Sequence, residues 1–208
     1  MPTLLRIDSS ANGELSRSRA VTGAFAEAWS SVGDARRVIH RDLHADPPQH
    51  LPSSALHWNA GLVAGARPPA WERRQRELID ELLSADLLVV AVPLYNYSMP
   101  STLKAWVDHV HVPGVTAGTP RLPLAGRHAV LVSARGARYG TPAAPDAWDH
   151  GTAALEVVLG ASMGMTTHRI VCEGTIAFDL EQFAAKRADA QLSLDAALSA
   201  ARSLAAEL

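Results

Sequence analysis

The residues best suited to chemistry stand where a buried strand gives way to a loop. Leu94, Tyr95, Asn96, Tyr97 and Ser98 follow the apolar run Leu87 to Val92 and Pro93. Two aromatic rings, an amide and bare backbone suit a flat heteroaromatic ligand. Apolar walls would supply most of its binding, and a few polar groups would fix its orientation. Tyr95 and Tyr97 could equally do no more than pack the loop onto a sheet. A second candidate runs from Ser9 to Arg19 and gathers Ser9, Ser10, Ser16 and Ser18 with Arg17 and Arg19. Hydroxyls and backbone N–H groups at a helix N-terminus make an anion site, and the arginines could offset a phosphate's charge. A serine-capped helix with solvated arginines is the plainer alternative. The third candidate is Ser133-Ala134-Arg135-Gly136-Ala137-Arg138-Tyr139-Gly140. There Gly136 allows close backbone approach to a ligand, although a simple turn would need no more. The Ser9 to Arg19 loop holds no G-x-G-x-x-G, and G-x-x-x-x-G-K-[ST] occurs nowhere, so the dinucleotide fingerprint and the P-loop do not apply.

The elements that must position these loops follow from periodicity. Thr3 to Asp8 reads as a short strand, Asn12-Gly13 as a turn, and Ser16 as the cap of a helix. That helix turns Val21, Phe25, Ala28 and Trp29 to the sheet and stops near Ser31-Val32-Gly33-Asp34. Arg36 to Leu43 is a second strand nearer an edge. His44 to Ala70 holds Pro47, Pro48, Pro52, Pro68 and Pro69. It reads as an excursion with one short helix near Ser54 to Ala64, and long connections of this kind are often lids. A helix over Trp71 to Leu83 leads to the third strand, Leu87 to Val92, whose continuous apolar run marks burial on both faces. Pro93 is expected to stop it. A helix over Ser101 to Val110 comes next, then a Pro/Gly-rich surface segment, His111 to Gly126. The fourth strand is Arg127 to Ser133, with a helix over Ala147 to Met163. Thr167 to Glu173 is the fifth strand, and Leu180 to Leu208 is helical. Strands alternating with helices predict an α/β fold: a doubly wound, five-stranded parallel sheet of order 2-1-3-4-5 with helices on both faces. The loops after strands one, three and four then meet at one edge of the sheet.

The 208 residues suit one domain over 1–208. A net charge of −2 argues against nucleic acid or an anionic membrane as the main partner. Cys172 is the only cysteine, which excludes an internal disulfide and a thiolate zinc cluster. Arg6 and Asp8 interrupt the N-terminal apolar residues before a signal-peptide core forms, and no apolar run reaches a membrane span, so the expected location is the cytoplasm. His109 and His111 lack a third metal ligand. Asp146 and Asp149 read as caps near a helix start, and Cys172 as a small buried residue. No Ser-His-Asp arrangement is supported by spacing.

Over essentially its whole length the chain resembles the FMN-dependent NADH:quinone oxidoreductases known as azoreductases, of flavodoxin-like fold. Ser10 and Ser16-Arg17-Ser18 resemble that family's phosphate loop, in which the middle residue is often Gln. Leu94-Tyr95-Asn96-Tyr97 is similar to its flavin-ring loop, and Ala134-Arg135-Gly136-Ala137 to its second ring loop, which usually ends in Gly-Gly. The resemblance implies FMN as cofactor, NADH or NADPH as donor, a quinone or azo compound as acceptor, and a homodimer with FMN at the subunit interface. It implies that Ser10, Ser16, Arg17 and Ser18 hold the phosphate. It also implies that Leu94, Tyr95, Asn96, Tyr97, Ala134, Arg135, Gly136 and Ala137 hold the ring system. Hydride would pass through the flavin in a ping-pong cycle that needs no obligate side-chain acid or base. Ala117 and Ala161 stand where the family usually has aromatic residues, which predicts a wider acceptor pocket. A flavodoxin-like electron carrier and a binding module without catalysis are the alternatives.

Overall fold

Alternating burial organises the first strand. β1 (Thr3–Asp8) sends Leu5 and Ile7 into one apolar cluster and Leu4 into another, so both faces of the sheet are covered. The computed structural model describes residues 1–33 and 35–208. After β1 come α1 (Arg17–Ser31), β2 (Arg37–Asp42), α2 (Pro69–Ser84), β3 (Leu87–Pro93), α3 (Ser101–Val110) and β4 (His128–Ala134). The chain continues through α4 (His150–Leu155), β5 (Thr166–Cys172), α5 (Ile176–Asp179) and α6 (Arg187–Glu207). All strand pairings are parallel and the order is β2-β1-β3-β4-β5. The expected flavodoxin-like topology is therefore present, with the switch point between β1 and β3. Ligands of such sheets bind outside the strand carboxyl ends at that crevice.

Every residue of β3 is buried, as its unbroken apolar run requires. Val21, Phe25 and Trp29 of α1 and Leu194, Ala197, Ala201 and Ala205 of α6 cover one face. Leu78 and Leu82 of α2, Leu103, Trp106 and Val110 of α3, and Leu155 of α4 cover the other. No helix among the described residues is long and apolar enough to cross a membrane.

Several expectations need correction. Pro93 does not stop β3: it is the last paired residue, opposite Ala134, and Leu94 N–H still donates to Ala134 O at 2.8 Å. The excursion contains only one 3-10 turn, Ser54–His57, instead of a helix to Ala64. Asn59 N–H donates to Pro113 O and its side-chain amide to Gly114 O, so the segment docks on the α3–β4 connection. Gly114 makes that approach possible, since a Cβ there would lie 2.9 Å from Asn59 Cβ. The connection itself is not simply surface. Val112, Thr116, Ala117 and Leu124 are buried, and Thr116 Oγ1 donates to Val110 O. The helix expected over Ala147 to Met163 is broken into a 3-10 turn, α4 and a π-helical stretch, Glu156–Ser162. Asp34, the end of the expected α1 stop signal, lies outside the described residues.

Two histidines set a pH dependence. His109 is fully buried, and burial holds its pKa below the ordinary value, outweighing the pull of its hydrogen bond to Gln49 O. Burial and then His128, whose ring stacks on it, lower His168 as well. Glu207 opposes that shift. A histidine with a depressed folded pKa binds fewer protons folded than unfolded, so stability falls as pH drops through about 6.5 toward the folded values. Denaturant midpoints are expected to be lower at pH 5.5 than at pH 7.5 (~, bracketing the histidine value). The His168→Gln variant is expected to show a shallower dependence. A flat midpoint across that range would refute the assignment.

Candidate functional site

The loop after β1 is fixed before it reaches any ligand. Asp8, fully buried at the end of β1, accepts from Thr22 Oγ1 of α1 at 2.6 Å and meets Arg6 at 2.7 Å and His40 at 2.8 Å. Ser9 Oγ donates to Ala91 O of β3 at 2.9 Å. Ser16 then caps α1, accepting from Arg19 N–H at 3.2 Å, and its hydroxyl lies 3.2 Å from that of Ser18. Arg17 stacks over the Phe178 ring, 4.3 Å from its centroid, and makes no ion pair among the described residues. The first turn of α1 thus offers hydroxyls, free N–H groups and an unneutralised cation, which together suit an anion.

The loop after β3 is a tight reverse turn. Tyr95 and Ser98 exchange backbone hydrogen bonds of 2.9 and 3.0 Å. Between them Asn96 has φ 50° and Tyr97 φ 68°. Both central residues are left-handed, the pattern of a type I′ turn. Asparagine tolerates that region, whereas a tyrosine there is strained, at a cost of order 1–3 kcal/mol. Two contacts hold it: His150 N–H donates to Tyr97 O at 3.0 Å, and the Tyr97 ring meets Trp148 edge-on, centroids 5.6 Å apart.

The loop after β4 is anchored from beneath. Arg135 is 3% exposed, and its guanidinium donates to Asp149 Oδ2 (3.0 Å), Asp146 Oδ1 (3.0 Å) and Glu173 Oε1 (3.1 Å). Burial pushes the Asp149 carboxyl up, but bonds from Thr152, Ser133 and Arg135 outweigh it and hold the pKa below the carboxylate norm. Asp149 does cap α4, accepting from Thr152 N–H at 2.8 Å. The expectation that Asp146 and Asp149 only cap is corrected by their shared hold on Arg135.

These loops enclose a cleft of about 310 Å³ at the switch point. Of the sequence-expected residues, Ser10, Ser16, Arg17, Ser18, Leu94, Tyr95, Ala134 and Gly136 line it. Asn96, Tyr97, Arg135 and Ala137 do not. The first two stand at the turn tip and Ala137 is exposed. The Arg135 side chain is engaged by carboxylates, between Ala134 and Gly136 of the cleft lining. Asn12, Leu15, Pro93, Thr175, Ile176 and Asp179 also line the cleft and were missed. Thr175 to Asp179 follow β5, and the general rule for strand carboxyl ends would have included that loop. His109 and His111 are separately engaged, by Gln49 O and Ser162 Oγ, and no group of three metal-ligating side chains occurs among the described residues.

A family model described as a flavodoxin-like fold matches residues 2–200. An FMN-dependent NADH:quinone oxidoreductase of Kineococcus radiotolerans is 48% identical, with both chains covered completely. One from Streptomyces coelicolor is 40% identical over 85% of this chain and 81% of its own. The chain belongs to the FMN-dependent NADH:quinone oxidoreductase family. Its fold is also that of a Bacillus anthracis FMN-dependent NADH-azoreductase solved in complex with FMN. That structure has a TM-score of 0.79 and 18% identity over 100% of this chain and 99% of the other. Within the family, the small residues Ala117 and Ala161 were expected to widen an acceptor pocket. Neither lines the cleft: Ala117 is 2% exposed inside the core beside Val110 and Leu124, and Ala161 is exposed.

Proposed function

We propose that this protein is an enzyme that binds FMN, takes hydride from NADH or NADPH, and reduces quinones or azo compounds by a ping-pong cycle. The observation that carries the proposal is the cleft, which has an unpaired arginine at a helix N-terminus at one end and an apolar, backbone-rich wall at the other. The residues fit the group. Ser10, Ser16, Arg17 and Ser18 would hold a phosphate, and Leu94, Tyr95, Ala134 and Gly136 would border a ring system. Bound FMN supplies the redox chemistry, and the chain supplies position and electrostatics. Gly136 lines the cleft, and its backbone N–H has no backbone partner among the described residues, which leaves it available to a ring acceptor. The cycle needs no obligate side-chain acid or base, since solvent can supply protons.

The direct test is the absorption spectrum of the protein with FMN, before and after NADH. Bleaching of the flavin band supports the proposal, and a colourless protein that takes up no FMN ends it. Donor and acceptor sharing one open face exclude each other, so double-reciprocal initial-rate lines at several quinone concentrations are expected to run parallel. Intersecting lines would mean a ternary complex. Removing the cation by Arg17→Ala is expected to weaken FMN by about 1.5–3 kcal/mol, the range for hydrogen bonds to charged groups. An unchanged dissociation constant would take Arg17 out of the site. We further propose one domain over 1–208 and a cytoplasmic homodimer. Exposed Tyr97 and Trp148, whose rings meet, support the dimer, because large apolar side chains grouped in space mark interaction surfaces. A monomeric mass by sedimentation would remove it.

A further inference from the structure

Tyr95 belongs to the loop after β3, but its phenol reaches the loop after β1. The hydroxyl lies 3.2 Å from Ser10 Oγ and 3.0 Å from the backbone N of Ala11. Ser10 Oγ also accepts from the backbone N–H of Asn12 at 3.2 Å. The protons of this group can be counted. Ala11 N–H donates to the phenol oxygen, and Asn12 N–H donates to the serine oxygen. The bond joining the two hydroxyls uses one of their two protons. If tyrosine donates it, Ser10 has accepted twice and keeps one O–H to give. If serine donates it, Tyr95 has accepted twice and keeps one. Either way one hydroxyl keeps an O–H to give, on an oxygen whose two lone pairs are occupied, while the other has given its proton and keeps one lone pair. The hydroxyl that keeps its O–H can act only as a donor, and the donors behind it polarise it further. Ser10 and Tyr95 both line the cleft that also holds Arg17. A donor of this kind suits an anionic oxygen, as does the cation beside it.

We infer that Tyr95 is a positioning residue for the phosphate end of the ligand: its hydroxyl, locked onto Ser10 and Ala11, leaves the pair one O–H to donate and ties the ring loop to the serine loop. This rests on the FMN reading above. It assigns the Tyr95 hydroxyl to the phosphate end, although the residue sits in the ring loop by sequence. The aromatic ring stays as a wall of the cleft, so Tyr95→Phe removes only the clasp.

The test compares FMN with riboflavin, which carries the same ring without the phosphate. Dissociation constants for both are measured by flavin fluorescence with the full-length parent, Tyr95→Phe, Ser10→Ala and the double variant. Tyr95→Phe is expected to weaken FMN about tenfold, the scale of one hydrogen bond to a charged group. Riboflavin is expected to change little, so the preference for FMN over riboflavin falls by the same factor. Ser10→Ala is expected to do likewise, and the double variant to be no worse than the poorer single one, because the two hydroxyls act as a unit. Equal weakening of both flavins by Tyr95→Phe would reduce Tyr95 to loop packing and overturn the inference, as would fully additive losses in the double variant. A parent that binds neither flavin overturns the functional reading and this inference with it. A parent that binds FMN, with a Tyr95→Phe variant that keeps its preference, overturns the inference alone.

Discussion

Asp149→Ala is expected to destabilise the protein by about 3–5 kcal/mol, the range found when one partner of a buried ion pair is removed. Asp149 is 2% exposed and Arg135 3%, so truncation leaves a guanidinium buried beside its lost partner. Ser133 Oγ and Thr152 Oγ1 also donate to the same Asp149 oxygen, at 2.9 and 2.8 Å, and both lose their acceptor. The lost cap of α4 contributes a further ~1 kcal/mol. Asp146 and Glu173 remain on Arg135 and hold the cost within the range. The contrast is Asp146→Ala. Its side chain is 68% exposed, Asp149 and Glu173 stay on the guanidinium, and a solvated carboxylate of this kind contributes roughly 0–1 kcal/mol. Denaturant midpoints of the two variants check this directly, and equal losses would show that burial does not set the strength of the network. Because Arg135 lies between Ala134 and Gly136 on the cleft wall, Asp149→Ala is also expected to lower FMN affinity. The Asp149 carboxyl has a depressed folded pKa, so its contribution is present above the unfolded value and lost as acid takes the pH below it.

The sequence and the structure agree where one local pattern decides the outcome. The run at Leu87 could only be a strand covered on both faces, and Ser16 with an apolar period behind it could only start a helix. Cleft-lining residues were legible where a hydroxyl or a ring stands in a loop after a strand or at the helix start that follows it, as Ser10, Tyr95 and Ser18 do. The partners of Arg135 were not. Asp146 and Asp149 lie just before α4 and Glu173 follows β5, and alone in its loop Arg135 looks like a ligand group. The left-handed turn was hidden as well. Without glycine, Asn96-Tyr97 carries no local signal for it, and it persists because α4 and Trp148 brace it. Composition misled at His111 to Gly126. Proline and glycine there mark where the chain turns, but they say nothing about depth, and Val112 and Leu124 are buried between those turns. The docking of the excursion was hidden for a related reason: its length was visible, but Asn59's bond to the backbone at Gly114 was not.

Gly151→Ala is expected to damage both stability and the cleft. Gly151 lies in the first turn of α4, where alanine would ordinarily be the better helix former by about 1 kcal/mol. Here a Cβ would stand 2.7 Å from Met99 N, 3.0 Å from Ser98 C and 3.2 Å from Leu94 Cδ1. The nearest two are backbone atoms of the loop after β3 and cannot turn aside as a side-chain tip can. Overpacking of this kind costs typically 1–3 kcal/mol, and backbone contact puts it at the upper end. The overlap therefore outweighs the gain in propensity, and a net loss of roughly 2 kcal/mol follows. The loop that must yield carries Leu94 and Tyr95 of the cleft wall, so FMN affinity is expected to fall in the same variant. Gly23→Ala, inside α1, supplies the comparison. Its added Cβ would meet only the Arg6 guanidinium, at 3.4 Å or beyond. There the helix preference has little to oppose it, and stability is expected to rise by about 0.5–1 kcal/mol. Thermal midpoints and FMN titrations of the two variants separate the cases. If Gly151→Ala were as stable as the parent with FMN binding intact, α4 and the ring loop would have room to part, and the close approach at Gly151 would not be what holds that wall in place.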